Sequence, residues 1–403
     1  MSNKLVIVKK DKHIISSFFE TMNLVQVSID QDENNGILGN IYLGKVKNIV
    51  KNINAAFIEI EGGRMCYYSL KENPYPIMAN TPYTDDNGLV KTDIKAGDEL
   101  LVQVVKEDVK TKAPVVSSNL NLTGKYVALT YGKSLVGVSA KINDDKERSK
   151  LKKIGHEYRN KEFGFIIRTN AAYAPEDKIR KEIELLIETY KSIRQYGIHK
   201  NVFSRIYQTP PSYICDIRDG YTQKVDEFVT DNKGLYEHIK DYLTKYQPED
   251  LSKLRFYEDS LLSLTNLYGL KDKIESATKP YVWLKSGGTL VIQPTEALTV
   301  IDVNTGKAID GKKKVQETFL KVNLEAAKEI AKQIRLRNLS GIIIIDFIDM
   351  ELKSNKELLM EELDKYLKMD PIKTTLVDMT ALGLVEITRK KVRKPLHEQI
   401  GEL

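Results

Sequence analysis

LTVIDVNTG, residues 298–306, climbs through apolar residues as a core strand does and ends on Asp302, Asn304 and Gly306. Side chains alternate along a strand, so Asp302 and Asn304 point the same way. GIIIIDFIDM, 341–350, repeats the theme: four isoleucines, the mark of a strand covered on both faces, ending in Asp346. Between them, ETFLKVNLEAAKEIAKQIRLRN, 317–338, sets Leu320, Leu324, Ala327, Ala331 and Ile334 on one helical stripe. Strand, helix, strand tends to lay neighbouring strands side by side with like ends together. If the two strands are neighbours, Asp302 and Asp346 meet at one rim of a sheet.

The same rhythm fills the last third of the chain. GGTLVIQP reads as a strand, NKELLMEELDKYLKMD as a helix and TTLVDMTALGLVEIT as a strand, which completes an α/β arrangement. Upstream, KLVIVKK and LVQVSID alternate like strands before the turn DENNG. Residues 39–70 and 98–108, separated by a turn-rich stretch from Ala79 to Gly97, read as the short strands of a small antiparallel barrel. FGFIIRT is strand-like, and APEDKIRKEIELLIETYKSIRQYG carries the Pro, early acids and final Gly of one long helix. SYICDIRDG reads as a strand and KGLYEHIKDYLTKY as an amphipathic helix.

A chain of 403 residues has room for about two to three domains, and 41% hydrophobic with 29% charged residues is the balance of an ordinary globular protein. No segment reads as a transmembrane span or signal peptide, and Cys66 and Cys215, far apart, form neither a disulfide framework nor a zinc knuckle. That usage fits the cytoplasm. A net charge of +6 is a mild basic bias, compatible with a polyanionic partner.

Two carboxylates on an apolar floor raise each other's pKa unless a cation sits between them. Magnesium suits the gap, with manganese as a substitute, because it takes one or two carboxylates, keeps waters and leaves room for a phosphate oxygen. Such an ion polarises a phosphodiester and activates water for in-line attack. The competing reading is that each acid merely caps the turn after its strand.

The three stretches 286–306, 322–350 and 382–393 resemble the catalytic region of the ribonuclease E / ribonuclease G family of bacterial endoribonucleases, and the likeness runs along essentially the whole chain. The resemblance implies an α+β multidomain protein: an RNase H-like subdomain at 1–35 plus 215–278, an inserted OB-fold barrel at 36–118, a 5′-sensor subdomain at 119–214 and a DNase I-like catalytic subdomain at 279–403. It implies that Asp302 and Asp346 bind the catalytic magnesium and that Asn304 organises the site. In the barrel it implies that Phe57 and Tyr67 stack RNA bases and that Lys112 meets a phosphate. In the sensor, Gly124, Arg168 and Thr169 match the grip on a 5′-monophosphate.

Two departures stand out. Asp378 occupies a position where the family's sensor has a further arginine, and Ala128 one where a larger aliphatic residue is expected. An acid there would repel a phosphate. The chain ends at Leu403 without the family's paired-cysteine zinc link or small dimerising domain, so the expectation is no zinc, no zinc-linked dimer, and any oligomer through another surface. The basic runs 311–314 and 389–394 are candidates for RNA backbone contact. The resulting expectation is a cytoplasmic, magnesium-dependent endoribonuclease acting on single-stranded RNA. Its rivals are a non-catalytic RNA-binding protein on the same fold and a DNA phosphodiesterase.

Overall fold

Apolar runs broken by two-residue turns fold the N-terminus into three antiparallel strands: β1 (Lys4–Lys10), β2 (His13–Glu20) and β3 (Asn23–Gln31). The computed structural model describes residues 2–31, 36–81, 88–108, 113–219, 225–306 and 315–401. It divides into two units, Met1–Asn34 with Ser212–Ile217 and Tyr221–Leu403, and Asn35–Pro211 with Arg218–Gly220.

The second unit begins with β4 (Ile41–Val50), β5 (Ala55–Ile60), β6 (Arg64–Ser69), β7 (Ile77–Met78), β8 (Glu99–Lys106) and β9 (Val115–Ser117). Their ladder runs β4-β5-β6-β9-β8 and then back to β4, so five strands close into a barrel without an edge. Inward residues such as Ile58, Cys66, Tyr68 and Val102 fill it. Next come β10 (Asn121–Thr123), β11 (Val127–Tyr131), β12 (Val136–Val138), α1 (Asp145–Tyr158), β13 (Phe163–Ile167), α2 (Glu176–Tyr196) and β14 (Arg205–Tyr207). Strands β10, β11, β13 and β12 form one sheet, and Ile179, Ile183 and Tyr190 of α2 share a core with its Leu129 and Phe165.

SYICDIRD is α3 (Ser212–Asp219), a helix rather than the expected strand. Tyr213, Ile214 and Ile217 are buried together in one core, and their spacing suits a helical face better than a pleat. The first unit resumes with β15 (Glu227–Thr230), α4 (Lys233–Tyr246), β16 (Leu254–Phe256), α5 (Leu264–Leu267) and α6 (Leu270–Ser276). Strands β15 and β16 extend the N-terminal sheet in parallel, giving the order β16-β15-β1-β2-β3.

The last sheet is built from β17 (Tyr281–Trp283), β18 (Thr289–Pro294), β19 (Leu298–Asn304), α7 (Val315–Leu336), β20 (Gly341–Asp346), α8 (Lys353–Lys368), β21 (Thr374–Met379) and β22 (Val385–Arg389), with α9 (Leu396–Ile400) closing the described chain. Its order is β17-β18-β19-β20-β22-β21, and only β19 and β20 pair in parallel. TTLVDMTALGLVEIT is thus two antiparallel strands, because Thr380 to Leu384 turn through a left-handed Gly383.

Helices α7 and α8 cover one face of this sheet only. Ile301, Val303, Ile343, Ile345, Val385 and Ile387 pack beneath them, and each fully buried isoleucine contributes about 2–3 kcal/mol. Among the described residues the other face is open, contrary to the expectation from the four isoleucines: Ile342 is 49% exposed and Ile344 is half-buried. On α7 the buried face centres on Val322, Ala326 and Ile330, so that Leu320, Leu324 and Ala331 of the expected stripe lie at its margin.

Candidate active site

Register brings the two acids together. Parallel pairing sets Leu298 opposite Ile342, and four residues later Asp302 opposite Asp346, at strand ends that point the same way. Adjacent strands lie about 4.8 Å apart, so the carboxylates project side by side from the open face. Asn304, one pleat on, donates its Nδ2 to Asp302 Oδ2 at 2.7 Å. The turn behind it is drawn in tightly: a Cβ on Gly288 would stand 2.9 Å from the Asn304 carbonyl, and Gly306 is left-handed with φ +53° against Gly287.

The geometry gives Asp346 no capping role. Among the described residues it accepts no hydrogen bond, whereas a capping acid would take a backbone N–H of the following turn. That turn is instead held by Asn323 of α7, fully buried, which accepts from Ile348 N at 3.1 Å and donates to Ile348 O at 2.7 Å. Burial, then Asp302, then Asp349 push the Asp346 carboxyl above its ordinary range. Like charges held side by side repel, and a cation between them would relieve that repulsion.

The donor set fits magnesium: hard oxygens, few of them, and open to solvent. Among the described residues no group of three or more His, Cys, Asp or Glu side chains is placed to hold a metal. An ion here would complete its shell from water or substrate. Asn323 and Asp349 were not singled out from the sequence. The signal for Asn323 was an amide inside an apolar helical stripe, and for Asp349 a second acid three residues after the first.

On the barrel, Phe57 and Tyr67 are register partners on β5 and β6 and face outward, half-buried, with ring centroids 6.4 Å apart at 81°. Lys112, like the 311–314 cluster, lies outside the described residues.

The residues matched to the family's 5′ sensor also meet. Arg168 follows β13 and donates Nη1 to Gly124 O and, at 2.9 Å, to Asp219 Oδ1. Thr169 is exposed, its hydroxyl 2.9 Å from that of Ser139. Asp219 is also gripped by Arg218, with Nη2 to Oδ2 at 2.9 Å. Burial alone would raise the Asp219 carboxyl, but Arg218 and Arg168 outweigh it and hold the acid below its usual range. A carboxylate therefore already sits in the arginine grip. Gly124 is there because a Cβ would stand 2.6 Å from Glu182 Oε1. Glu182 accepts the N–H groups of Lys125, Tyr126 and Val127 at 2.6, 2.7 and 2.8 Å and fixes the loop. Asp378 lies in the first unit, exposed beside Glu386 on the open face of the six-stranded sheet.

The profile of the Ribonuclease E/G family matches residues 121–392, from β10 through the acid pair. The chain belongs to the Ribonuclease E/G family. It is 33% identical over 384 residues to Ribonuclease G of Haemophilus influenzae, covering 94% of this chain and 77% of that protein. With Ribonuclease G of Escherichia coli strain K12 the identity is 33% over 380 residues, 93% of this chain and 76% of the relative. Ribonuclease E of Synechocystis is 32% identical over 400 residues, 98% of this chain and 58% of that protein. These alignments extend the family's likeness beyond the profile match to nearly the whole chain, barrel included.

Proposed function

We propose that this family member is a magnesium-dependent endoribonuclease that cuts single-stranded RNA, in the processing of structured precursors or the decay of messages, and leaves 5′-phosphate and 3′-hydroxyl ends. Family membership supports the endoribonuclease activity and the RNA substrate. The observation that carries the rest is the pairing of Asp302 with Asp346 at the ends of adjacent parallel strands, on a face left open to solvent.

Asp302 and Asp346 are the residues that would hold magnesium, which when bound supplies charge neutralisation at the phosphate and activation of water. Asn304 fixes the Asp302 carboxylate through its amide N–H, and its side-chain oxygen, without a partner among the described residues, would orient a water or a sugar hydroxyl. Asn323 anchors the turn after Asp346, so the second acid keeps its direction when substrate arrives. Phe57 and Tyr67 offer ring faces on which unpaired bases stack, a mode that suits single strands because every base has a π-face. Attack by water rather than by the neighbouring 2′-hydroxyl accounts for the proposed ends.

Among the described residues neither cysteine forms a disulfide and both are buried, with the Cys66 thiol pushed up to about 12 by burial, which suits a reducing compartment. Among the described residues no helix is long and apolar enough to cross a membrane.

The test is a short unstructured oligoribonucleotide with and without magnesium. Wild type should cut it, Asp302→Ala should bind without cutting, and the products should carry 5′-phosphates. Binding without cutting by the wild type, with magnesium or manganese, would make the chain an RNA-binding protein on the same fold. Products ending in a cyclic phosphate would remove the metal from the reading.

A further inference from the structure

The open face of the six-stranded sheet carries two aromatic side chains that the reaction as described does not use. Tyr281 is 62% exposed and Trp283 75%. Large apolar rings left in water on neighbouring positions are the informative exception to burial. Both belong to the edge strand β17, and register fixes the direction in which they point. Tyr281 pairs with Val291, Val291 with Asp302, and Asp302 with Asp346. Trp283 pairs with Thr289, and Thr289 with Asn304. Residues opposite one another on a ladder share a face, so the two rings stand on the side of the acid pair. Val282 and Leu284 turn the other way, into the core under the helices. Two ladder steps set Tyr281 about 10 Å from Asp302, and two residues along the strand set the rings about 7 Å apart. Among the described residues, Val291 and Thr289 are the ladder partners between them.

We propose that Tyr281 and Trp283 form a stacking platform for bases of the single-stranded RNA next to the phosphodiester that is cut at Asp302 and Asp346. This rests on the nuclease reading of the acid pair and adds to it the path of the strand, which leaves the acids across β18 and ends on β17. The occupant follows from continuity: the platform and the acids belong to the same register rows, and an extended polymer seated on one passes over the other. Ring faces accept any base, so the platform sets position rather than sequence.

Trp283 is the chain's single tryptophan, which makes its emission a reporter of this position alone. The experiment titrates the Asp302→Asn protein, selectively excited at tryptophan, with an unstructured oligoribonucleotide and with a set bearing one abasic nucleotide at successive positions. The expected result is saturable quenching, lost when the abasic position falls on the platform. In cleavage by otherwise wild-type protein, Trp283→Ala should raise KM about 5- to 100-fold, the range that stacking supplies, and should erase the abasic penalty. Trp283→Phe should restore both. Normal cutting by wild type with unmoved emission, or unchanged KM in Trp283→Ala, overturns the platform. So does an emission change that follows protein concentration without RNA, which would give this face to a second copy of the chain. Quenching with no cutting by the wild type would keep the platform and remove the nuclease reading instead.

Discussion

Replacing Asp346 by asparagine should stabilise the metal-free protein and disable it at the same time. Two unit charges about 5 Å apart repel by about 3 kcal/mol at the effective dielectric of a protein surface and about 1 kcal/mol in water. Asp346 stands exposed at its strand end, so the lower figure applies. The sign follows from its titration. Burial, Asp302 and Asp349 raise the carboxyl in the fold, and the native state therefore holds the proton more tightly than the unfolded chain does. That contribution to stability is complete below the ordinary carboxylate value of about 3.9 and is lost as pH rises through the raised native value. At neutral pH wild type carries the repulsion and the asparagine variant does not. In chelator the variant should melt about 2–4 °C higher, and the gap should close as pH falls toward about 4. Magnesium should reverse the order: at tenfold excess over its dissociation constant wild type gains about 1.4 kcal/mol, while the variant gains little and cleaves poorly. Thermal unfolding with chelator and with magnesium, across pH, reads every term. The reasoning fails if the variant melts below wild type in chelator, as loss of a capping acid would have it, or if magnesium shifts both alike.

Asn323→Ala leaves Ile348 N and O without their partner in a part-buried turn, and should lower stability by about 1–3 kcal/mol by denaturant unfolding and reduce kcat more than it changes KM. Asp219→Ala removes the carboxylate that Arg168 and Arg218 share, so the ratio of cleavage rates for 5′-monophosphate over 5′-hydroxyl oligonucleotides is expected near one in wild type and several-fold higher in the variant. Phe57→Ala removes one of two adjoining rings on the barrel and should weaken binding of single-stranded RNA by about 1–3 kcal/mol, measured by fluorescence anisotropy, with melting little changed.

The acid pair was legible because a strand reads its own direction: alternation in LTVIDVN gives the face, and an intervening helix gives the neighbour. Other features were hidden for identifiable reasons. β2, HIISSFFE, interrupts its apolar run with Ser16 and Ser17, which are buried, so no alternation marks it between its two partners. SYICDIRD is too short for periodicity to separate helix from strand. Ile342 and Ile344 carry side chains as apolar as those of Ile343 and Ile345, and composition alone does not say which pair meets the helices. The grip on Asp219 draws on residues 50 positions and more from Arg168 and Thr123, a juxtaposition made by folding and invisible in a local motif.

The six-stranded sheet divides its labour by parity. Along β19 and β20 the odd-numbered residues 301, 303, 343 and 345 hold the helices, while the even-numbered 302, 304, 342, 344 and 346 face outward. Mutational drift at the even positions can therefore retune what the enzyme grips without asking the scaffold to refold. A library randomised at 342 and 344 should yield mostly folded proteins, whereas one randomised at 343 and 345 should yield few.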